Sequence, residues 1–123
     1  MQQLKIVIAE DSRKLSDLLR QTLSAIEGFV VVGVAADGIE AVRQVRELKP
    51  HVLVLDITMP IKNGIEVLKE IRADDSSTVI IMFTGELGPL IKTTCLEAGA
   101  NFFLDKSQVG ELIEICNKKL LAS

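Results

Sequence analysis

HVLVLDITMPIKNGIEVLKEIR, residues 51–72, contains a complete strand–loop–helix unit. His51 to Leu55 is short and apolar, the composition of a strand buried on both faces, and Pro50 separates it from what precedes. Asp56 ends the apolar run, and Pro60 keeps the segment 56–63 from continuing as regular structure. Asn63 is a suitable N-cap for a helix from Gly64 to about Arg72. The unit therefore sets a carboxylate at the carboxyl end of a buried strand, facing a loop.

The same alternation repeats on both sides. Leu4 to Ala9 reads as a first strand. A helix then carries an apolar stripe of Leu15, Leu18, Leu19, Thr22, Leu23 and Ile26, with Ser12 as N-cap and Gly28 as terminator. Phe29 to Ala35 is β-branched and apolar, a second strand. Asp37 and Glu40 have the spacing of a capping box for a helix that turns Val42, Val45 and Leu48 inward. Thr78 to Phe83 reads as a fourth strand. A loop with Gly85, Gly88 and Pro89 leads to a helix with Leu90, Ile91, Thr94 and Cys95 on one side, closed by Gly99. Asn101 to Leu104 is a short fifth strand. Ser107 is placed to cap a last helix whose inward stripe is Val109, Leu112, Ile113, Cys116 and Leu120, leaving Ile115 and Leu121 off it.

Five βα units predict an α/β domain over 1–123, a parallel sheet with helices on both faces. Right-handed crossovers leave few arrangements, of which the flavodoxin-like strand order 2-1-3-4-5 fits five units best. The chain has 123 residues, 48% hydrophobic and 25% charged, which suits one globular domain. A net charge of −3 without a basic cluster argues against direct nucleic-acid binding. With no Trp, no Tyr and four Phe, an aromatic flavin or base-stacking pocket is hard to build. No apolar run is long enough to insert in a membrane and no signal-peptide pattern opens the chain, so a cytoplasmic location is expected. Cys95 and Cys116 lack metal-ligand spacing, and His51, the single histidine, reads as structural.

In such sheets the functional crevice lies outside the carboxyl ends of the strands. Glu10 and Asp11, Asp56, Thr84, and Asp105 and Lys106 all fall there. Carboxylates gathered at one rim repel one another unless positive charge sits among them. Lys106 and a divalent cation meet that need, and an all-oxygen ligand set suits Mg²⁺. A carboxylate so placed can act as a nucleophile toward phosphorus, a reaction that needs mainly positioning and neutralisation of the phosphoryl oxygens.

Four blocks carry a family resemblance: IVIAEDSRKL (6–15), VLVLDITMPIKNGIEVLKEIR (52–72), IIMFTGE (80–86) and GANFFLDKS (99–107). In this order and spacing they resemble the receiver domain of two-component response regulators, of the single-domain, chemotaxis-regulator-like kind, over essentially the whole chain. The resemblance implies that Asp56 is the phosphoacceptor. Glu10, Asp11, Asp56 and the backbone carbonyl of Thr58 would bind Mg²⁺, and Lys106 would pair with the phosphoryl group. Thr84 and Phe103 would be the switch residues. It also implies a histidine kinase or histidine phosphotransfer protein as donor. A downstream effector protein would be engaged through the fourth helix, fifth strand and fifth helix, a surface on which a homodimer could also form. Phosphotransfer and autodephosphorylation at Asp56 would be the only chemistry, so no enzyme in the ordinary sense is expected.

Two positions depart from the family pattern. Ser107 follows Lys106 where a proline is common, and the switch aromatic is Phe103 in place of Tyr. Thr58 and Glu86 occupy positions that vary in the family and bear on loss of the phosphoryl group. A domain of this length leaves no room for an output module, which implies either a single-domain regulator or the receiver of a longer transcriptional or enzymatic one. A flavodoxin-like electron carrier is disfavoured because Glu10 and Asp11 stand where a phosphate-binding loop would be needed. An Asp-nucleophile phosphatase is disfavoured because Asp56-Ile57-Thr58 lacks a second carboxylate. A binding-only relative without phosphorylation is disfavoured because every required group is present.

Overall fold

The computed structural model describes residues 3–120. Its strands are β1 (Leu4–Ala9), β2 (Phe29–Ala35), β3 (Val52–Leu55), β4 (Val79–Thr84) and β5 (Phe102–Asp105). Its helices are α1 (Arg13–Ser24), α2 (Gly38–Leu48), α3 (Gly64–Arg72), α4 (Pro89–Glu97) and α5 (Val109–Glu114), the last running on as a π-helical turn over Ile115–Leu120. All strand pairs are parallel, in the order β2-β1-β3-β4-β5. The flavodoxin-like topology read from the sequence is the one observed.

The period of two along each strand divides the core into two layers. Val7, Leu53, Leu55, Ile80 and Met82 face one side, where they meet Val42 and Val45 of α2, Val67, Leu68 and Ile71 of α3, and Cys95 of α4. Ile6, Ile8, Val52, Val54, Ile81 and Phe83 face the other, against Leu19 and Leu23 of α1 and Leu112 and Cys116 of α5. Each such large side chain taken fully out of water contributes about 1.5–3 kcal/mol. Together they fix the register that aligns the strand ends.

Helix starts follow the local sequence with two exceptions. Ser12 Oγ accepts from Leu15 N–H at 3.3 Å, and Asn63 and Glu66 exchange both bonds of a capping box at 2.9 and 3.0 Å. At α2 only half of the expected box forms. Asp37 Oδ1 accepts from Glu40 N–H at 2.8 Å, but the Glu40 carboxylate turns to Arg43 and Gln44. Ser107 does not cap α5. Its own N–H donates to Asp105 Oδ1 at 2.8 Å, and Gln108 takes the N-cap position without a side-chain cap bond.

Three apolar residues lie elsewhere than the stripes suggest. Leu18 is 51% exposed, because the buried sector of α1 is centred on Leu19 and Leu23 and includes Ser16. Leu90 is 79% exposed, since five residues from Cys95 put it on the opposite side of α4. Ile115 is buried, at 8%, because it lies three residues after the fully buried Leu112, on the same side of the helix, and next to Cys116. Leu121 lies outside the described residues. Strands β3, β4 and β5 begin one residue later than expected. The residues before them, His51, Thr78 and Asn101, are instead held by specific side-chain bonds.

Candidate functional site

Backbone rungs extend the sheet one residue past the strand ends. Glu10 N–H donates to Ala35 O at 2.9 Å, Asp56 N–H to Ala9 O at 3.0 Å and Lys106 N–H to Thr84 O at 3.1 Å. These bonds set Glu10 and Asp56 on adjacent strands, with Lys106 two strands from Asp56, beyond Thr84 at the end of β4. Gly64 closes the floor below, where its N–H donates to Ile57 O at 2.8 Å. A Cβ at Gly64 would lie 2.1 Å from Asp56 O, so only glycine lets α3 start against the backbone of the acidic residue.

Glu10 and Asp56 are both 2% exposed, and Asp11 is exposed beside them. One carboxylate oxygen from each of the three lies within 4.8 Å of the others. Lys106 Nζ reaches between the buried pair, 2.9 Å from Asp56 Oδ2 and 3.1 Å from Glu10 Oε1. Apart from that ammonium, neither of these oxygens has a hydrogen-bond partner among the described residues. Ser12 N–H donates to Glu10 Oε2 at 2.9 Å, and Thr58 N–H approaches Asp56 Oδ1 at 3.4 Å.

The charges are poorly balanced. Burial raises the pKa of Glu10 and the nearby Asp56 charge adds to the effect, against the opposing pull of Ser12 N–H and Lys106. Burial also works against the Lys106 ammonium, but hydrogen bonds and charge from Asp56 and Glu10 hold its pKa above the ordinary lysine value. Two buried carboxylates share one ammonium and an exposed third, Asp11, lies beside them, which leaves net negative charge at the site. Hard oxygen donors with buried lone pairs unfilled suit a hard divalent cation.

Thr84 is fully buried at the end of β4, and its hydroxyl accepts from Glu86 N–H at 3.1 Å. Glu86 Oε1 in turn accepts from Thr58 Oγ1 at 2.7 Å, joining the loops after β3 and β4. Phe103 is half-buried on β5 and packs against the core layer that includes α4. It lines a shallow groove with Leu87, Lys92 and Glu111, away from the carboxylates. Glu10, Asp11, Asp56 and Lys106 are thus brought together, Thr58 and Thr84 border them, and Phe103 stands apart.

His51 is structural, its Nδ1 accepting from Lys5 N–H at 2.9 Å. Cys95 and Cys116 are free, buried and on opposite faces of the sheet. Two features were missed in the sequence. Ser12, read as a helix cap, also donates its N–H to Glu10; its position two residues after the acid was the available signal. The Thr58–Glu86 bond had none, because the residues are 28 positions apart and meet only once β3 and β4 pair.

Residues 6–117 match the response regulator receiver domain. The chain is 33% identical over 115 residues to the chemotaxis protein CheY of Thermotoga maritima, covering 93% of this chain and 95% of that one. It is 35% identical over 104 residues to a protein-glutamate methylesterase/protein-glutamine glutaminase of Bacillus licheniformis. That match takes in 84% of this chain but spans only 29% of the methylesterase's length. Among solved structures, a LuxR-family two-component response regulator from Aurantimonas superposes with a TM-score of 0.90 at 31% identity, covering 98% of this chain and 86% of that one. CheY in the CheX–CheY–BeF₃–Mg²⁺ complex of Borrelia burgdorferi gives 0.83 at 29% identity, covering 93% and 88%.

Proposed function

Because the chain belongs to the response regulator receiver domain family, we propose that Asp56 is its phosphoacceptor, in a reaction that requires Mg²⁺. The observation that carries the reading is the buried Asp56 carboxylate, paired with Lys106 at 2.9 Å and otherwise without a partner on that oxygen among the described residues. In the transfer an Asp56 oxygen forms the new O–P bond as the bond from phosphorus to the donor's leaving atom breaks, and the leaving group takes that electron pair. Lys106 stays protonated and offers its ammonium to the phosphoryl oxygens. Glu10, Asp11, Asp56 and the Thr58 carbonyl would hold Mg²⁺, which when bound neutralises charge on the transferred group. The Thr84 hydroxyl then turns to the phosphoryl group. With Phe103 it carries the change to the surface of α4, β5 and α5, where an effector protein docks.

The donor is a histidine kinase or a histidine phosphotransfer protein. Two forms of output remain, each with a relative on its side. The CheY match runs nearly end to end in both chains, which supports a receiver acting by docking. The match to less than a third of a methylesterase supports a receiver that governs an attached domain. No helix among the described residues is long and apolar enough to cross a membrane.

Incubation with acetyl phosphate and Mg²⁺, followed by intact mass measurement, is expected to show a gain of one phosphoryl group. Asp56→Asn is expected to gain none. No gain in the wild type, or an undiminished gain in the variant, overturns the assignment. Lys106→Ala is expected to separate phosphorylation from the surface change, leaving the NMR shifts of α4, β5 and α5 unmoved when Asp56 is modified. Wild-type shifts in that variant would contradict the role given to Lys106.

A further inference from the structure

Strand β2 is an edge of the sheet, since among the described residues only β1 pairs with it. Its seven residues, FVVVGVA, carry no charge and no proline, and most are β-branched. An open strand of that composition is a template for pairing with another chain. The partner it suits is its own copy, because antiparallel pairing about a twofold axis matches the strand with itself and brings no like charges together. One side chain covers the open edge. Ala35 O accepts from Glu10 N–H at 2.9 Å on the β1 side, so the preceding carbonyl, Val34 O, points outward. Gln44 of α2 reaches across and donates its Nε2 to Val34 O at 3.0 Å. We propose that Gln44 takes the place of a neighbouring strand at the outer edge of β2, and so keeps this strand from pairing with the β2 of a second copy of the chain.

The surroundings of Gln44 support this role. The second amide hydrogen goes to Glu40 Oε1 at 2.9 Å, so both donors are used on acceptors and the amide is fixed that way round. Gln44 Oε1 is left buried without a partner among the described residues, a cost that the bond to the strand edge offsets. Gly33 is matched to it. Glycine weakens a strand, and Gly33 is not among the glycines whose positive φ requires one. Space requires it instead, because a Cβ there would lie 2.4 Å from Gln44 Oε1 and 3.0 Å from Leu48 Cδ1. The missing side chain is what lets the Gln44 amide cross to the outer carbonyl. Beside it, Ile6 pairs with Val31 and Val7 with Gly33, so Val32 bulges out of register, and a bulge makes an edge a poorer template. The guard is separate from the chemistry at Asp56.

Sedimentation velocity over a range of protein concentrations measures self-association, and amide hydrogen exchange locates the contact. Gln44→Met keeps the length of the side chain and removes its donors. Gly33→Ala leaves Gln44 in the chain and displaces its amide. Each is expected to strengthen self-association about tenfold over wild type, and to slow exchange of the outward Val34 N–H. The two variants open the edge by different routes, so misfolding of one leaves the other as the test. Val30 belongs to neither core layer. Adding Val30→Lys puts a charge on the strand and is expected to return either variant to the wild-type state. Folded variants that associate no more strongly than wild type overturn the guard. Association that leaves Val34 exchange unchanged, or that Val30→Lys does not relieve, places the contact elsewhere and overturns it as well.

Discussion

The two ends of the sheet use similar residue types to opposite effect. At the amino end, polar groups are satisfied. Asp75 accepts from Ser77 N–H and Oγ and from Thr78 N–H and Oγ1 at 2.6–3.1 Å. Arg72 donates to the carbonyls of Gly99, Asp75 and Thr78 and to Asn101 Oδ1, which also accepts from Ile80 N–H. At the carboxyl end, Glu10 and Asp56 bury oxygens whose one partner among the described residues is the Lys106 ammonium. A carboxylate given four donors is structural. One denied them at a cost in stability is held ready for a ligand that brings its own positive charge. A substitution that removes polar contacts should therefore destabilise the amino end, whereas loss of charge should stabilise the carboxyl end.

Arg72→Ala should have the largest effect. It strands three backbone carbonyls and removes one of the two bonds to Asn101 Oδ1, and a loss of about 3 kcal/mol is expected in urea unfolding. A loss within error of zero would break the contrast from the amino side. Asp75→Ala should cost about 2 kcal/mol at neutral pH. Burial opposes the Asp75 charge, but the bonds from Thr78 and Ser77 outweigh it and hold the pKa down at about 2, below the ordinary 3.8. A depressed carboxylate pKa gives stability that is complete above the unfolded value and disappears as pH falls through the folded one. The gap between wild type and Asp75→Ala should therefore close between pH 4 and pH 2, as measured by unfolding across that range. A constant gap would show that the hydrogen bonds do not depend on the charge.

Glu10→Gln should have the smallest effect, and the opposite sign. Removing a desolvated charge is expected to raise stability by about 1 kcal/mol in EDTA. The same change should weaken Mg²⁺ binding at least tenfold by calorimetry. A variant that is less stable and binds Mg²⁺ normally would place Glu10 with the structural groups.

This contrast was only half legible in the sequence. Buried strands such as VLVL at 52–55 declare themselves by composition, and crossover handedness narrows their order to a few arrangements. Acidic residues directly after those strands locate the rim. What composition does not carry is which carboxylate will find donors. Asp75 reads as one residue of a polar turn, and its bonds depend on the turn closing onto Thr78. Arg72 reads as the last residue of a helix, and its partner Asn101 lies 29 residues away. Helix phase was similarly hidden. Ile115 is buried with Leu112, three residues before it, at the edge of the stripe that the apolar spacing marks. Ser107 fits a cap by type, yet Asp105 captures its N–H first.

The most direct measurement locates the phosphoryl group itself. Protein treated with acetyl phosphate and Mg²⁺ is reduced with borohydride, which converts an aspartyl phosphate to homoserine, and is then digested and sequenced by mass spectrometry. Homoserine at position 56 alone is the predicted result. Homoserine at Asp11 in place of Asp56, or a phosphoryl group that survives reduction as a serine or threonine ester, would contradict it.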